Sequence, residues 1–249
     1  MQFKKVMKRL GPVIAVAIAA GLAGCDKANF SFDGKEGVPL ADLDLSGDPP
    51  SEVVLLGPDS LEIRTGEALA VDVEGEPETV ERLRFVRDGD SLAVMRSKGE
   101  SSGTATVIVT MPSPRKLTVG GSGSLKAAEL TGKAEANVLG SGSLDVAGVS
   151  ADTLTVTIAG SGSMRAGGKA ERLDLDVLGS GSARLDDLSV DRADVTIAGS
   201  GGAAFRSDGE VEAEILGSGS VTVRGDARCK VNAIGSGSLV CERNTKAAD

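Results

Sequence analysis

Val138-Leu139-Gly140-Ser141-Gly142-Ser143-Leu144 recurs along the chain, and its recurrence decides the fold. The Gly-Ser-Gly-Ser core begins again at Gly121, Gly160, Gly179, Gly217 and Gly235, and a variant, Gly199-Ser200-Gly201-Gly202, fills the remaining slot. Successive starts lie 19, 20, 19, 20, 18 and 18 residues apart. A fixed period near 19 with one recurring turn is the signature of a stacked-repeat architecture.

Counting from the first glycine of each copy, positions −4, −2, +4 and +6 are always apolar. Around Gly140 they are Ala136, Val138, Leu144 and Val146; around Gly160 they are Val156, Ile158, Met164 and Ala166. The interleaved −5 and −3 positions are polar, as in Glu135 and Asn137, Thr155 and Thr157, Asp174 and Asp176. A period of two with one dry face is a strand, here on both sides of the Gly-Ser corner. Two strands of about five residues, a tight corner and a looser return make one coil. Parallel stacking at roughly 4.8 Å per coil raises seven coils on the order of 34 Å. No coil buries its inner face alone, but the stack does.

The corner glycines, Gly121, Gly140, Gly160, Gly179, Gly199, Gly217 and Gly235, fit a place with no room for Cβ and a positive φ. The serines at +1 and +3 are expected to point outward or along the corner as two hydroxyl ladders. No helix follows any copy, which argues against a phosphate cradle. Position −1 should face outward by alternation, yet it holds Leu139, Ala159, Leu178, Ala198, Leu216 and Ile234. Paired with −2 these give a compensating Val-Leu, Ile-Ala pattern, which favours inward packing of both. The alternative is an exposed apolar stripe, which would mark an association surface.

Composition narrows function by exclusion. The 249 residues include no His, no Trp and no Tyr, and only 2% are aromatic. The commonest general base and metal ligand is therefore missing. The formal charge is −9, and removing a leader that carries Lys4, Lys5, Lys8 and Arg9 without an acid brings it to −13. So acidic a surface repels nucleic acid.

Residues 1–24 read as an export leader: a basic start, then an apolar run from Val13 to Ala20 too short to span a bilayer comfortably. The segment ends in Leu22-Ala23-Gly24-Cys25, which resembles the lipobox of bacterial lipoproteins. That resemblance implies diacylation of the Cys25 sulfur, cleavage before it and acylation of the new amino group, which together anchor stably. The mature protein is then expected in the cell envelope, on the periplasmic or surface side. Asp26 resembles an inner-membrane retention signal. Residues 25–40 read as the lipidated cysteine and a flexible spacer, with Phe30 and Phe32 able to dock on the head.

Between 41 and 117 short runs alternate without a helical period: Leu61 to Ile63, Leu69 to Val73, Leu83 to Phe85, Leu92 to Val94 and Thr104 to Thr110. Leu69, Val71, Val73 and Gly75 share the repeat's spacing, so the region reads as irregular earlier coils, a separate small β domain being the alternative. The regular array covers 118–243, and 244–249 reads as a disordered tail. Cys229 and Cys241 stand at −6 and +6 of the last repeat, both inward by the count. In an oxidising compartment such a pair forms a disulfide, worth at most about 3 kcal/mol; otherwise they are two small core residues. With two thiols and no His, a zinc site is poor.

Leu117-Thr-Val119-Gly-Gly-Ser-Gly-Ser-Leu125 and its successors, with the lead-in runs Leu61 to Val73 and Thr104 to Pro112, resemble the autotransporter-adhesin head (GIN) domain proteins. The resemblance covers roughly residues 43–240. It implies an all-β, right-handed parallel β-helix or solenoid with coils of about 18–20 residues, commonly secreted or lipoprotein-tethered, and it supplies no catalytic residue. The expected function is a membrane-tethered, non-enzymatic binding or adhesin-like module without cofactor. Its partners are the membrane through Cys25 and an envelope macromolecule or a second copy. Two alternatives rest on the carboxylate rows Asp174, Asp176, Asp194, Glu212 and Glu214: a Ca²⁺-stabilised binding module or a carbohydrate-active β-helix enzyme. The first lacks an aspartate inside the turn, and the second lacks aromatic platforms.

Overall fold

The computed structural model describes residues 32–97, 99 and 103–242. The leader, Cys25, Phe30 and the tail 244–249 lie outside them. The chain is nearly all β and forms a parallel β-solenoid of about seven turns. Its first part comprises β1 (Glu52–Gly57), β2 (Ser60–Thr65), β3 (Ala70–Glu74), a one-turn helix α1 (Pro77–Val80), β4 (Leu83–Asp88), β5 (Ser91–Arg96) and β6 (Thr106–Met111). The repeats follow as β7 (Lys116–Gly121), β8 (Ser124–Gly140), β9 (Ser143–Gly160), β10 (Ser163–Gly179), β11 (Ser182–Gly199), β12 (Gly202–Gly217), β13 (Ser220–Arg224), β14 (Arg228–Gly235) and β15 (Ser238–Glu242).

Each repeat pairs in parallel with the next in one register, corner glycine on corner glycine: Gly121 on Gly140, Gly140 on Gly160, and on to Gly217 on Gly235. The −4, −2, +4 and +6 side chains are buried from Leu117 to Val223 and form one continuous core. From β8 to β12 the return is not the loose segment expected from the sequence. Strand pairing continues round it with local register shifts, and Leu130, Val149, Leu188 and Val190 point into the core there. Single strands of 16 to 18 residues therefore wrap most of a coil.

The lead-in departs from sequential stacking. β1 and β2 form a coil directly on β7 and β8, with Gly57 on Gly121 and Ser60 on Ser124. Beyond them lies the later segment, with β5 pairing β1 and β6 pairing β2, both in parallel. Coil order in space is thus not coil order in sequence. Leu69 to Gly75 is not a coil despite its spacing, because β3 runs antiparallel against β6; β4 likewise runs antiparallel against β5. Alternation alone carries no strand direction, so the spacing could not distinguish the two.

These antiparallel strands close one pole. Val38 exchanges two backbone hydrogen bonds with Phe85, of 2.9 and 2.8 Å, and Leu40, Leu43 and Leu45 pack against the main core. The expected spacer is therefore shortened, since the chain is bound to the fold from Phe32 onward. Phe32 lies against Val54, Leu56, Val86, Ala93 and Met95, a second buried cluster on the outer face of β1, β4 and β5. At the corner of this coil, buried Asp59 occupies the slot held by glycine in the repeats. It accepts hydrogen bonds from Arg96 Nε at 2.9 Å and the Ala105 amide at 2.8 Å, tying the corner to the end of β5 and the start of β6.

Candidate functional site

At the corners two glycines have separate reasons. The first has φ between 107° and 132° throughout the array, a region that favours glycine. The second lacks that φ but points inward: a Cβ on Gly142 would stand 2.7 Å from Val119 Cγ1, the −2 residue of the preceding coil. The corners are held by backbone rather than by hydroxyl ladders. The Ser141 amide donates to the Gly121 carbonyl at 2.8 Å and the Ser143 amide to that of Gly123 at 3.0 Å, a pattern the later corners largely repeat. Among the described residues the hydroxyl rung is Ser60–Ser124 at 3.0 Å.

The −1 row does not pack inward. Leu139, Ala159, Leu178, Ala198 and Leu216 are half-buried, lie in one register and stay outside the core, while each −2 neighbour is buried within it. The two members of each pair point to opposite sides of the strand, so their volumes never share a space. The result is an apolar ridge running beside the corners. Ile234 at its end, with no coil beyond it among the described residues, is 73% exposed.

Beside the ridge run the polar rows. Asp174, Asp194 and Glu212 stack on adjacent coils, as the sequence count requires. Asp176 and Glu214 share the neighbouring row but are separated by Thr196. Arg172 bridges Asp174, at 2.9 Å, and Asp194; Lys230 reaches Glu212 at 2.7 Å; Glu210 lies between Arg192 at 3.1 Å and Arg228 at 3.2 Å. The hydrogen bond to Asp174 is the main cause of a raised Arg172 pKa, and that to Glu212 raises Lys230. Asp174, Asp194, Glu210 and Glu212 are thus engaged with cations of their own sheet. No group of three or more His, Cys, Asp or Glu among the described residues is arranged to hold a metal ion.

At the pole opposite the antiparallel cap, a disulfide joins Cys229 of β14 to Cys241 of β15, with Cα atoms 6.7 Å apart. It crosses the mouth of the last described coil, where each strand has a neighbour on one side only among the described residues. The corner at Gly57-Pro58-Asp59-Ser60 went unrecognised from sequence; its Gly and Ser at the repeat's own offsets were the available signal.

Solved structures share this architecture. A "putative adhesin" from Bacteroides fragilis superposes with a TM-score of 0.70 at 15% identity, over 79% of this chain and 93% of that one. A "putative lipid binding protein" from Parabacteroides distasonis gives 0.61 at 21% identity, over 78% and 93%. A "putative adhesin" from Parabacteroides merdae gives 0.62 at 18%, over 78% and 92%. At such identities the likeness is one of fold. No curated protein matches the chain. The family described as "Putative auto-transporter adhesin, head GIN domain" matches residues 49–227, well over half of the sequence, and the chain belongs to it.

Proposed function

We propose that this protein is a non-enzymatic binding module of the cell envelope, tethered through a lipidated Cys25, that holds another envelope macromolecule along the side of its solenoid. The observation that carries this reading is the ridge Leu139, Ala159, Leu178, Ala198 and Leu216: one apolar line of constant geometry, flanked by ion-paired rows. Apolar side chains held half-exposed along several turns suit association better than chemistry. The head GIN family and the names of its structural neighbours support a binding role.

The tether rests on Leu22-Ala23-Gly24-Cys25 and is tested separately. Cells fed labelled palmitate should label the protein, and Cys25→Ser and globomycin should each abolish mature, labelled product; labelling that survives Cys25→Ser overturns the anchor. For the ridge, immobilised protein and its Leu178→Lys/Leu216→Lys variant are compared for retention of components from an envelope extract. A component held by the first and lost from the second is expected, with strand content equal in both. Equal retention removes the ridge as the binding face.

A further inference from the structure

We propose that the pole carrying β14 and β15 is a self-association surface, and that its occupant is the same pole of a second copy. Several observations single this pole out. β14 pairs only with β12 and β15 only with β13 among the described residues, so a row of backbone donors and acceptors faces outward on each. Among the described residues the core ends there without a further coil over it: Val231, an inward position by the repeat count, is 46% exposed, and on the outer side of the same edge Ile234 and Val240 are 73% and 48% exposed. Such an open edge is a template for strand pairing.

The geometry selects a second copy and a closed dimer. The opposite pole ends in β3 and β4, which run antiparallel to the coils they border, so a copy stacked there head to tail would not meet the parallel register that joins coils in the array. Pole-to-pole contact about a two-fold axis pairs β14 with its symmetry mate in antiparallel fashion and closes after two copies. Centred on Asn232, that pairing sets Lys230 opposite Ile234 and Arg228 opposite Ser236, so no like charges meet. Lys230 and Arg228 are in any case engaged by Glu212 and Glu210 of their own chain. The two apolar mouths, each with its Cys229–Cys241 bridge, would continue one core through both copies.

The test is the mass of the full chain in detergent by sedimentation equilibrium, with and without Cys25→Ser so that a shared micelle is not mistaken for contact. A dimer is expected in both. Val231→Lys/Ile234→Lys places cations on the two-fold and should halve the mass, with strand content unchanged. Leu178→Lys, the same chemical change on the ridge, should leave the dimer intact, as should a chain stopped after Glu242. A monomeric full chain, a dimer that survives Val231→Lys/Ile234→Lys, or a dimer lost in Leu178→Lys or on truncation overturns the proposal. Because the ridge variant is read separately, failure here leaves the lateral binding face standing, and failure there leaves the pole.

Discussion

At Gly140 a φ of 117° combines with a Cβ position 2.6 Å from the Gly121 carbonyl oxygen, so alanine meets both backbone strain and backbone contact. At Gly57, the same slot in the first coil, φ is 127° but a Cβ would meet nothing within 4 Å. Gly57→Ala is therefore expected to cost only the strain, roughly 1–3 kcal/mol, and Gly140→Ala distinctly more. Denaturant unfolding of the two variants checks the order, and equal losses would remove coil-to-coil contact as the reason for glycine. The partner of the second glycine is equally specific. The branched −2 residues, Val119, Val138, Ile158 and Val177, fill the space that the missing Cβ leaves on the next coil, at Gly142, Gly162, Gly181 and Gly201. Both requirements show in the sequence as a pattern of types, but their causes become distinct only when neighbouring coils are placed on one another.

At the scale of elements, the repeat strands were legible because each has one dry and one wet face. β1 was not: Val53, Val54, Leu55 and Leu56 are all buried, since the second apolar cluster covers the outer face there, and an unbroken apolar run carries no period. The order β5, β1, β7 was equally hidden, because pairing partners 39 and 64 residues apart leave no mark in a local window. The terminal elements depend on a covalent link instead of on a second neighbour. Cys229→Ser/Cys241→Ser should speed amide exchange in β14 and β15 while β9 is unchanged, with at most about 3 kcal/mol lost; uniform loss of protection would show the bridge to be global. At the capped pole the Asp90 carboxylate lies below its ordinary range, chiefly through its hydrogen bond from the Ser51 hydroxyl, with the Ser51 amide adding at 3.0 Å. A depressed folded pKa contributes stability that is present above the ordinary aspartate value and lost as pH falls through the lower folded one. Protection factors at β1 and β5, with the intrinsic pH dependence of amide exchange divided out, should therefore fall on acidification through that window in the native protein, and Asp90→Asn should flatten the response.

For the whole molecule, the array and the cap obey different rules. Inside the array every coil meets a neighbour of the same register, so excising residues 160–178 joins Ala159 to Gly179 and restores the pairing of glycine on glycine. The shortened protein should keep its strand signal and a single melting transition, at lower denaturant midpoint; loss of folding would show that the coils are not interchangeable. Removing 52–65 should unfold the capped pole, because that coil has β5 and β6 on one side and β7 and β8 on the other. The interleaved cap therefore fixes one end of the protein against gain or loss of units, while the uniform register leaves the number of coils free to vary. Each added unit carries the far pole roughly 4.8 Å further out. If the capped end is the one held near a membrane, tandem duplication lengthens the reach of the opposite end in equal steps, and neither end needs a new contact.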